Sequence, residues 1–364
     1  MTQTIARLTP LAEVLALIEA EVKPVAPCER DTATAVGCVL AADVIAPARP
    51  SNIIALTDGW ALRSEETHGA SGYAPGLLSA APDRIEAGQP IPPGCDCVAP
   101  VDAVRMSGAQ AEALAEIAPG EGVLPAGGDH DGEAPLARAG ERLTQLQAAA
   151  FAALGIAKMP VRKPRMLVAC VRDDPVLTAG ANFIATEAAH HVATIKRAAG
   201  LHGTLATEDT DAVLVIGGTG TGRNDASAMA LARAGRLAVH GIALAPGETS
   251  GFGFVMDRPV LLLPGRLDAA IATWRMLGRP LLDRLSCATA PSVRPQMLTL
   301  ARNVTSTVGL TGVVPVRRSG SQGEPLATRY WPLSAIARAD GYLVISPESE
   351  GASAGSAVQV WPWA

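Results

Sequence analysis

The 364-residue chain is poor in aromatic residues, with five Trp, three Tyr and four Phe, and poor in lysine, which stands only at Lys23, Lys158, Lys163 and Lys196. Charged residues make up 18% of the chain and the formal net charge is −5. With no basic stripe to neutralise a phosphate backbone, nucleic acid is not an expected partner. Long apolar runs are missing too. Runs such as Ala148 to Ala153 or Val260 to Leu263 fall far short of the roughly 20 residues that span a bilayer. The polar stretch from Met1 to Leu8 has no signal-peptide core, so neither membrane insertion nor export is expected. Six cysteines without regular spacing exclude a disulfide scaffold and suit a reducing cytoplasm. Cys95-x-Cys97 has no second pair at ligand spacing and reads as two ordinary half-buried thiols rather than half of a zinc site.

What is present points to layers of helix on sheet. Hydrophobic residues make up 48%, too many for a disordered chain, and they are mostly small aliphatics. The 36 Gly and 28 Pro exclude an all-helical bundle. Length alone suggests two to three domains.

Along the chain, Thr9-Pro10 reads as a capping hydroxyl and first-turn proline for a helix carrying Leu11, Val14, Leu15 and Ile18, stopped by Pro24. From about Asp43 to Ala118, Pro, Gly and short apolar runs predict short strands and turns. Thr144-Gln-Leu-Gln147 is a capping-box pattern opening a second helix that ends at Gly155, and Met159 to Pro164 reads as a connector. Strands are then expected at Met166–Val171, Ala212–Ile216 and Val260–Leu263, with helices at 186–199 (closed by Gly200), 225–234 and 267–285, the last interrupted at Pro280. Apolar strands separated by helices imply a doubly wound, mostly parallel sheet. After Pro291-Ser-Val-Arg-Pro295 the period returns to two. Strands at 297–304, 312–316, 341–345 and 357–361 make a separate β domain.

Between the strand ending at Ile216 and the next helix lies Gly217-Gly218-Thr219-Gly220-Thr221-Gly222-Arg-Asn-Asp225. Glycines there let backbone amides approach an anion, and the following helix points its positive end at it. The loop is neither common nucleotide fingerprint. Arg223 stands where the dinucleotide motif needs glycine, and Gly-Lys-Ser/Thr is absent. A ligand-free tight turn accounts for the same residues, and Asp225 read by position alone is a helix cap. Ala245-Pro246-Gly247-Glu248 and Leu263-Pro264-Gly265-Arg266 follow other strands, and Arg172-Asp-Asp174 follows the first. Carboxylates beside an anion-binding loop make sense if a divalent cation bridges them to phosphate. Solvated surface acids are the plainer alternative.

Taken in order, these loops resemble the molybdenum insertase family, the molybdopterin molybdenumtransferases that include the gephyrin E domain. Thr57-Asp-Gly-Trp-Ala-Leu-Arg63 is similar to the family's Met-Asp-Gly-Tyr-Ala-Val-Arg, and Arg84-Ile-Glu-Ala-Gly-Gln-Pro-Ile-Pro-Pro-Gly94 to its Arg-Ile-x-Thr-Gly-Ala-Pro-x-Pro-x-Gly. Pro164-Arg165 through Asp173-Asp174, the glycine loop, Pro246-Gly247 with Phe252-Gly253, and Leu263-Pro-Gly265 complete the set. The resemblance implies a four-part homodimer. Its parts would be a helical linking region (1–45 and 119–162), an inserted β-rich domain (46–118), an α/β molybdopterin-binding domain (163–288) and a C-terminal β domain (289–364). It implies insertion of molybdate into adenylylated molybdopterin with Mg2+ and release of AMP, the product serving a molybdoenzyme. Asp58 would be a catalytic acid from the inserted region, acting across the dimer. Asp174 and Asp225 would sit at the pterin phosphate and metal.

The chain departs from the family pattern where anions are held. Ile53-Ile-Ala-Leu-Thr-Asp-Gly59 replaces Asp-Asn-Ser-Ala-Met-Asp-Gly, and Ala87 replaces a threonine. Cys170-Val-Arg-Asp-Asp174 replaces Ser-Thr-Gly-Asp-Glu, and Gly220 replaces a serine. Ala245 and Glu248 replace two lysines, while Arg266-Leu-Asp-Ala269 replaces Asn-Pro-Val-Ser. The span from Gly203 to Asp211 is too short for the helix expected there. An active insertase is one reading of this pattern. A catalytically impaired molybdopterin- or cofactor-binding carrier or scaffold is the other.

Overall fold

The computed structural model describes residues 3–108, 110–189, 191, 194–199, 203–206, 209–289 and 294–363. The chain divides into two compact units, Met1–Ala42 with Ala139–Ala152 and Ala157–Ala364, and Asp43–Arg138 with Ala153–Ile156.

The first unit begins with α1 (Leu11–Glu21), whose Leu11, Val14 and Ile18 are buried. Its start differs from the sequence expectation. Pro10 is the N-cap and no side chain caps the helix, because Thr9 and Pro10 lie beside Ile242 and Ala243 as a short parallel strand. α2 (Gln145–Ala153) opens with the reciprocal box: Gln147 N donates to Thr144 Oγ1 (3.2 Å) and Thr144 N donates to Gln147 Oε1 (2.9 Å). The stretch read as a connector is a strand, β1 (Lys158–Arg162), paired antiparallel with Cys28–Asp31 and with Val39–Leu40.

The α/β core follows: β2 (Arg165–Cys170), α3 (Pro175–Ala189), β3 (Thr194–Ala199), β4 (Ala212–Ile216), α4 (Ser227–Ala234), β5 (Arg236–His240), β6 (Ile242–Ala245), β7 (Gly251–Val255) and β8 (Arg258–Leu263). The helix expected over 186–199 is a correction. Residues 186–189 end α3, and 194–199 form β3, which pairs parallel with β2 from Arg165↔Thr194 to Cys170↔Ala199. The stretch Thr194-Ile-Lys-Arg-Ala-Ala199 fits either period, and the open edge of β2 decides for strand. Gly200 and Pro291 to Val293 lie outside the described residues.

The six-stranded sheet runs β3-β2-β4-β8-β7-β5, with the first four parallel and the last two antiparallel. Alternate residues of its strands face two cores, as a sheet covered on both sides requires. Met166, Val168, Leu214, Ile216, Leu261 and Leu263 pack with α1, α3 and the helix after β8, whereas Leu167, Val213, Val215, Val260 and Leu262 pack with Ala228 and Leu231 of α4. That last helix is α5 (Leu267–Thr273), a π-helical turn over Trp274–Gly278, and α6 (Arg279–Ser286). The expected interruption is therefore a widened turn just ahead of Pro280, whose ring lacks a backbone donor.

A seven-stranded sheet carries the C-terminal strands β9 (Gln296–Leu300), β10 (Thr311–Ser319), β11 (Gln322–Pro325), β12 (Gly341–Ile345) and β13 (Ala357–Pro362). Its remaining members are Thr9–Pro10 and β6. β6 pairs parallel with β10 through Leu244↔Thr311 and Ala245↔Gly312. The strand ahead of Pro246 thus belongs to this sheet and not to the α/β sheet.

The second unit consists of short strands and turns. Gly59–Leu62 pairs antiparallel with Asp83–Ile85 and Cys97–Ala99, and Leu62, Ala70, Cys97 and Ala111 are among its buried residues. Cys97 Sγ donates to Leu62 O (3.4 Å), and burial pushes its thiol up to about 12, as for a structural cysteine. Among the described residues no helix is long and apolar enough to cross a membrane.

Candidate functional site

The carboxyl ends of three parallel strands converge in the first unit. Val171 N donates to Ile216 O (3.1 Å), and Gly217 N donates to Leu263 O (2.9 Å), so the loops after β2, β4 and β8 start side by side. The glycines at the start of the loop are required there. Gly217 (φ +95°) and Gly218 (φ +66°) are left-handed, and a Cβ would lie 2.8 Å from Val171 Cγ2 at the first and 2.6 Å from Ser227 Oγ at the second. Gly265 abuts the same turn less tightly, a Cβ there lying 3.2 Å from Leu177 Cδ2 and 3.5 Å from Gly217 Cα.

The loop's carbonyls from Gly217 to Gly220 are accounted for. Gly217 O accepts from Ser227 Oγ (2.7 Å), and Gly218 O from Gln3 Nε2 (2.9 Å) and Ser227 N (3.0 Å). Gly220 O also accepts from Gln3 Nε2, and Thr219 O from His240 Nε2 (2.8 Å). Its donors are not. Among the described residues the amides of Gly218, Thr219, Gly220 and Thr221 have no protein acceptor. Four neighbouring free amides at strand ends ahead of a helix are what an anion such as phosphate would satisfy.

Asp225 is not the plain cap that its position suggests. Its Oδ2 accepts from Gly222 N (3.0 Å) within the loop, and the N-cap of α4 is Ala226, without side-chain capping. Asp174 does serve as a cap: its Oδ1 accepts from Val176 N (2.9 Å) and Leu177 N (3.2 Å) at the start of α3. Those amides, with Arg172 Nη2 at 3.5 Å from Oδ2, hold its carboxyl below the usual carboxylate range.

The Pro246-Gly247 loop reaches the same place through Thr249, whose Oγ1 lies 2.9 Å from Thr219 Oγ1. The Ala245–Pro246 bond is cis, and Gly247 packs against Leu244 and Thr273. Beyond Pro264-Gly265, Arg266 is bound to Asp268 (3.1 and 2.6 Å) and lies 5.1 Å over the Tyr330 ring. Asp268 first, and Glu248 also, raise the Arg266 guanidinium further. Arg172 and Arg266, the two new cations, are each paired with a carboxylate two residues on, Asp174 and Asp268.

Asp58 lies in the second compact unit, just before Gly59–Leu62. Its Oδ1 accepts from Ala87 N (2.9 Å), which joins two of the matched motifs. Gln3, His240 and Thr249 escaped the sequence reading. Their hydrogen bonds to the loop reveal them, since a lone polar residue far from a motif carries no spacing signal. Among the described residues no three His, Cys, Asp or Glu gather as a protein-built metal site.

Three family models match the chain consecutively: the MoeA N-terminal region (domains I and II) at residues 9–155, the probable molybdopterin binding domain at 167–284, and the MoeA C-terminal region (domain IV) at 297–363. A molybdopterin molybdenumtransferase 2 of Mycobacterium tuberculosis is 28% identical, the match covering 89% of this chain and 92% of the relative. A crystal structure of the molybdopterin biosynthesis MoeA protein of Pyrococcus horikoshii shares the fold with a TM-score of 0.78 at 24% identity, covering 98% of this chain and 99% of that one. A structure from strain OT3 of that organism gives 0.76 at 21%, covering 98% and 100%. The family models and the mycobacterial relative favour the transferase over the carrier or scaffold. With its three regions in family order over nearly its whole length, the chain belongs to the MoeA family, the molybdopterin molybdenumtransferases of molybdenum cofactor biosynthesis.

Proposed function

We propose that this protein inserts molybdenum from molybdate into adenylylated molybdopterin, releasing AMP. The observation that carries the reading is the glycine loop, with four amides that have no acceptor among the described residues, where strand ends converge and a carboxylate is held over it. The amides of Gly218 to Thr221 would take the phosphate oxygens of the pterin side chain. Fixed dipoles do this without the desolvation cost of a buried lysine. Pro246, Gly247, Pro264, Gly265 and Arg266 would line the remainder, with Asp58, Asp174 and Asp225 as the acids of the reaction.

Two carboxylates and no more suit Mg2+, which keeps water and substrate-phosphate ligands rather than an all-protein cage. Asp225 fits, since its Oδ1 has no protein partner among the described residues. Asp174 would offer Oδ2, which Arg172 Nη2 faces at 3.5 Å, Oδ1 being committed to the helix. When bound, the ion would neutralise phosphate charge. The four-part division (1–45 with 119–162, 46–118, 163–288, 289–364), a homodimer, a cytoplasmic setting and delivery to a molybdoenzyme complete the reading. What supports the division is the likeness of residues 9–155 to the MoeA N-terminal region (domains I and II) and of 297–363 to the MoeA C-terminal region (domain IV).

The test is complementation. The gene should restore molybdoenzyme activity to an insertase-null strain, and Asp58→Ala should abolish rescue while leaving the protein folded. A strain that regains no activity with the unaltered gene would sink the reading.

A further inference from the structure

We propose that Gln3 and His240 are positioning residues that hold the glycine loop in its anion-accepting form. The inference rests on the loop being the pterin-phosphate site. Gln3 is 5% exposed, and its side-chain hydrogen bonds among the described residues, three in number, converge on the loop and the helix behind it. Nε2 donates to Gly218 O and Gly220 O, and Oε1 accepts from Ala228 N (3.1 Å) in the first turn of α4. The partners fix the amide's orientation, since carbonyls need the NH2 side and an N–H needs the oxygen. From the other side His240 Nε2 lies 2.8 Å from Thr219 O, so this nitrogen carries the proton. Three successive carbonyls are therefore held by two side chains remote in sequence. The amides between them are left to an incoming anion.

Gln3 is itself anchored. Thr9 N donates to Gly241 O (2.9 Å), Thr9 and Pro10 pair with β6, and Ile5 Cγ2 fills the space over Gly241, where a Cβ would come within 2.4 Å. The segment 3–10 is thus a strap from the C-terminal sheet to the loop, and the entropy of ordering Gln3 is spent before ligand arrives. A flexible four-glycine loop without such ties would lose that entropy on binding.

Two measurements test the strap in the full chain. One is amide exchange at Ser227, whose N–H donates to Gly218 O (3.0 Å) and reports loop closure without contacting Gln3. The other is calorimetric titration with molybdopterin. Gln3→Met keeps the bulk and removes the hydrogen bonds, His240→Phe removes the second tie, and Thr4→Ala is the control. Each of the first two should speed Ser227 exchange and weaken molybdopterin about tenfold, the size of one or two lost neutral hydrogen bonds. Exchange in Ala212–Ile216 should not change. Exchange within about twofold of the unaltered protein in Gln3→Met overturns the proposal whatever binding does. Should the unaltered protein bind no molybdopterin while Ser227 exchange responds, the strap stands and the assignment of its ligand falls.

Discussion

Gly220 separates the chemistry of the loop from its stability. A methyl group there would stand 2.7 Å from Asp225 Oδ2 and 3.7 Å from its Cγ, so Gly220→Ala forces the carboxylate to swing away. The displaced side chain gives up the amide of Gly222. A hydrogen bond to a charged acceptor contributes about 1.5–3 kcal/mol when shielded, and ~1 kcal/mol at a half-exposed position such as this. Against that loss, Gly220 lies outside the left-handed region, so alanine restricts the unfolded chain and returns ~0.4–1 kcal/mol. The urea midpoint should therefore barely move. Turnover should not be spared: displacing a reacting group by about 1 Å costs on the order of a hundredfold. AMP release from adenylylated molybdopterin, measured beside urea unfolding, reads both. Normal AMP release at normal stability would refute the role given to Asp225. A loss of more than ~3 kcal/mol would refute the steric account, because only a side-chain tip is supposed to give way.

Three further outcomes follow from groups outside the loop. Asp283 is pushed up by burial while Arg279 and Arg142 pull it down, and it lies 2.9 Å from Arg142 Nη2. Asp283→Ala should cost ~3 kcal/mol in urea unfolding, and the pair Asp283→Leu with Arg142→Met should recover most of it, because the loss comes from the stranded cation. Asp174 has a folded pKa below its unfolded one, caused first by the amides of Leu177 and Val176 and then by Arg172. Its contribution is complete above about pH 4 and is lost as pH falls through the folded value, so Asp174→Asn should flatten the acid limb of stability. Burial raises the thiols of Cys97, Cys95 and Cys38, Cys97 to about 12. Iodoacetamide at pH 8 should spare Cys97 in the native protein, and rapid labelling there would mean that Cys97–Ala99 leaves its sheet.

Much of the fold was legible in the sequence where one signal dominated. Ala212–Ile216 and Gly341–Ile345 are strands with the bounds their apolar patterns predict, and Thr144 with Gln147 forms the box written in their spacing. Legibility failed where local pattern was neutral and a partner decided. Thr194–Ala199 became a strand because β2 needed a neighbour, and Lys158–Arg162 because Cys28–Asp31 and Val39–Leu40 flank it. At the site, the loops themselves were readable, since glycine and proline mark backbone demands directly. Gln3 and His240 were not, because a side chain that satisfies a distant carbonyl obeys no period.

The position of β6 bears on how portable the pterin-binding region is. Chain order places Ile242–Ala245 inside the stretch 167–284, yet its hydrogen-bonding neighbours are Thr9–Pro10 on one side and Thr311–Gly312 on the other. Excised at its apparent borders, that stretch would carry a strand of four buried residues with both flanks bare, a template for intermolecular pairing. Asp268 adds a second obligation, since its Oδ2 accepts from Trp331 N (3.0 Å). Shuffling this region between proteins as a cassette would therefore break the very loop that carries Pro246 and Gly247, and inheritance of the site has to proceed through the whole chain.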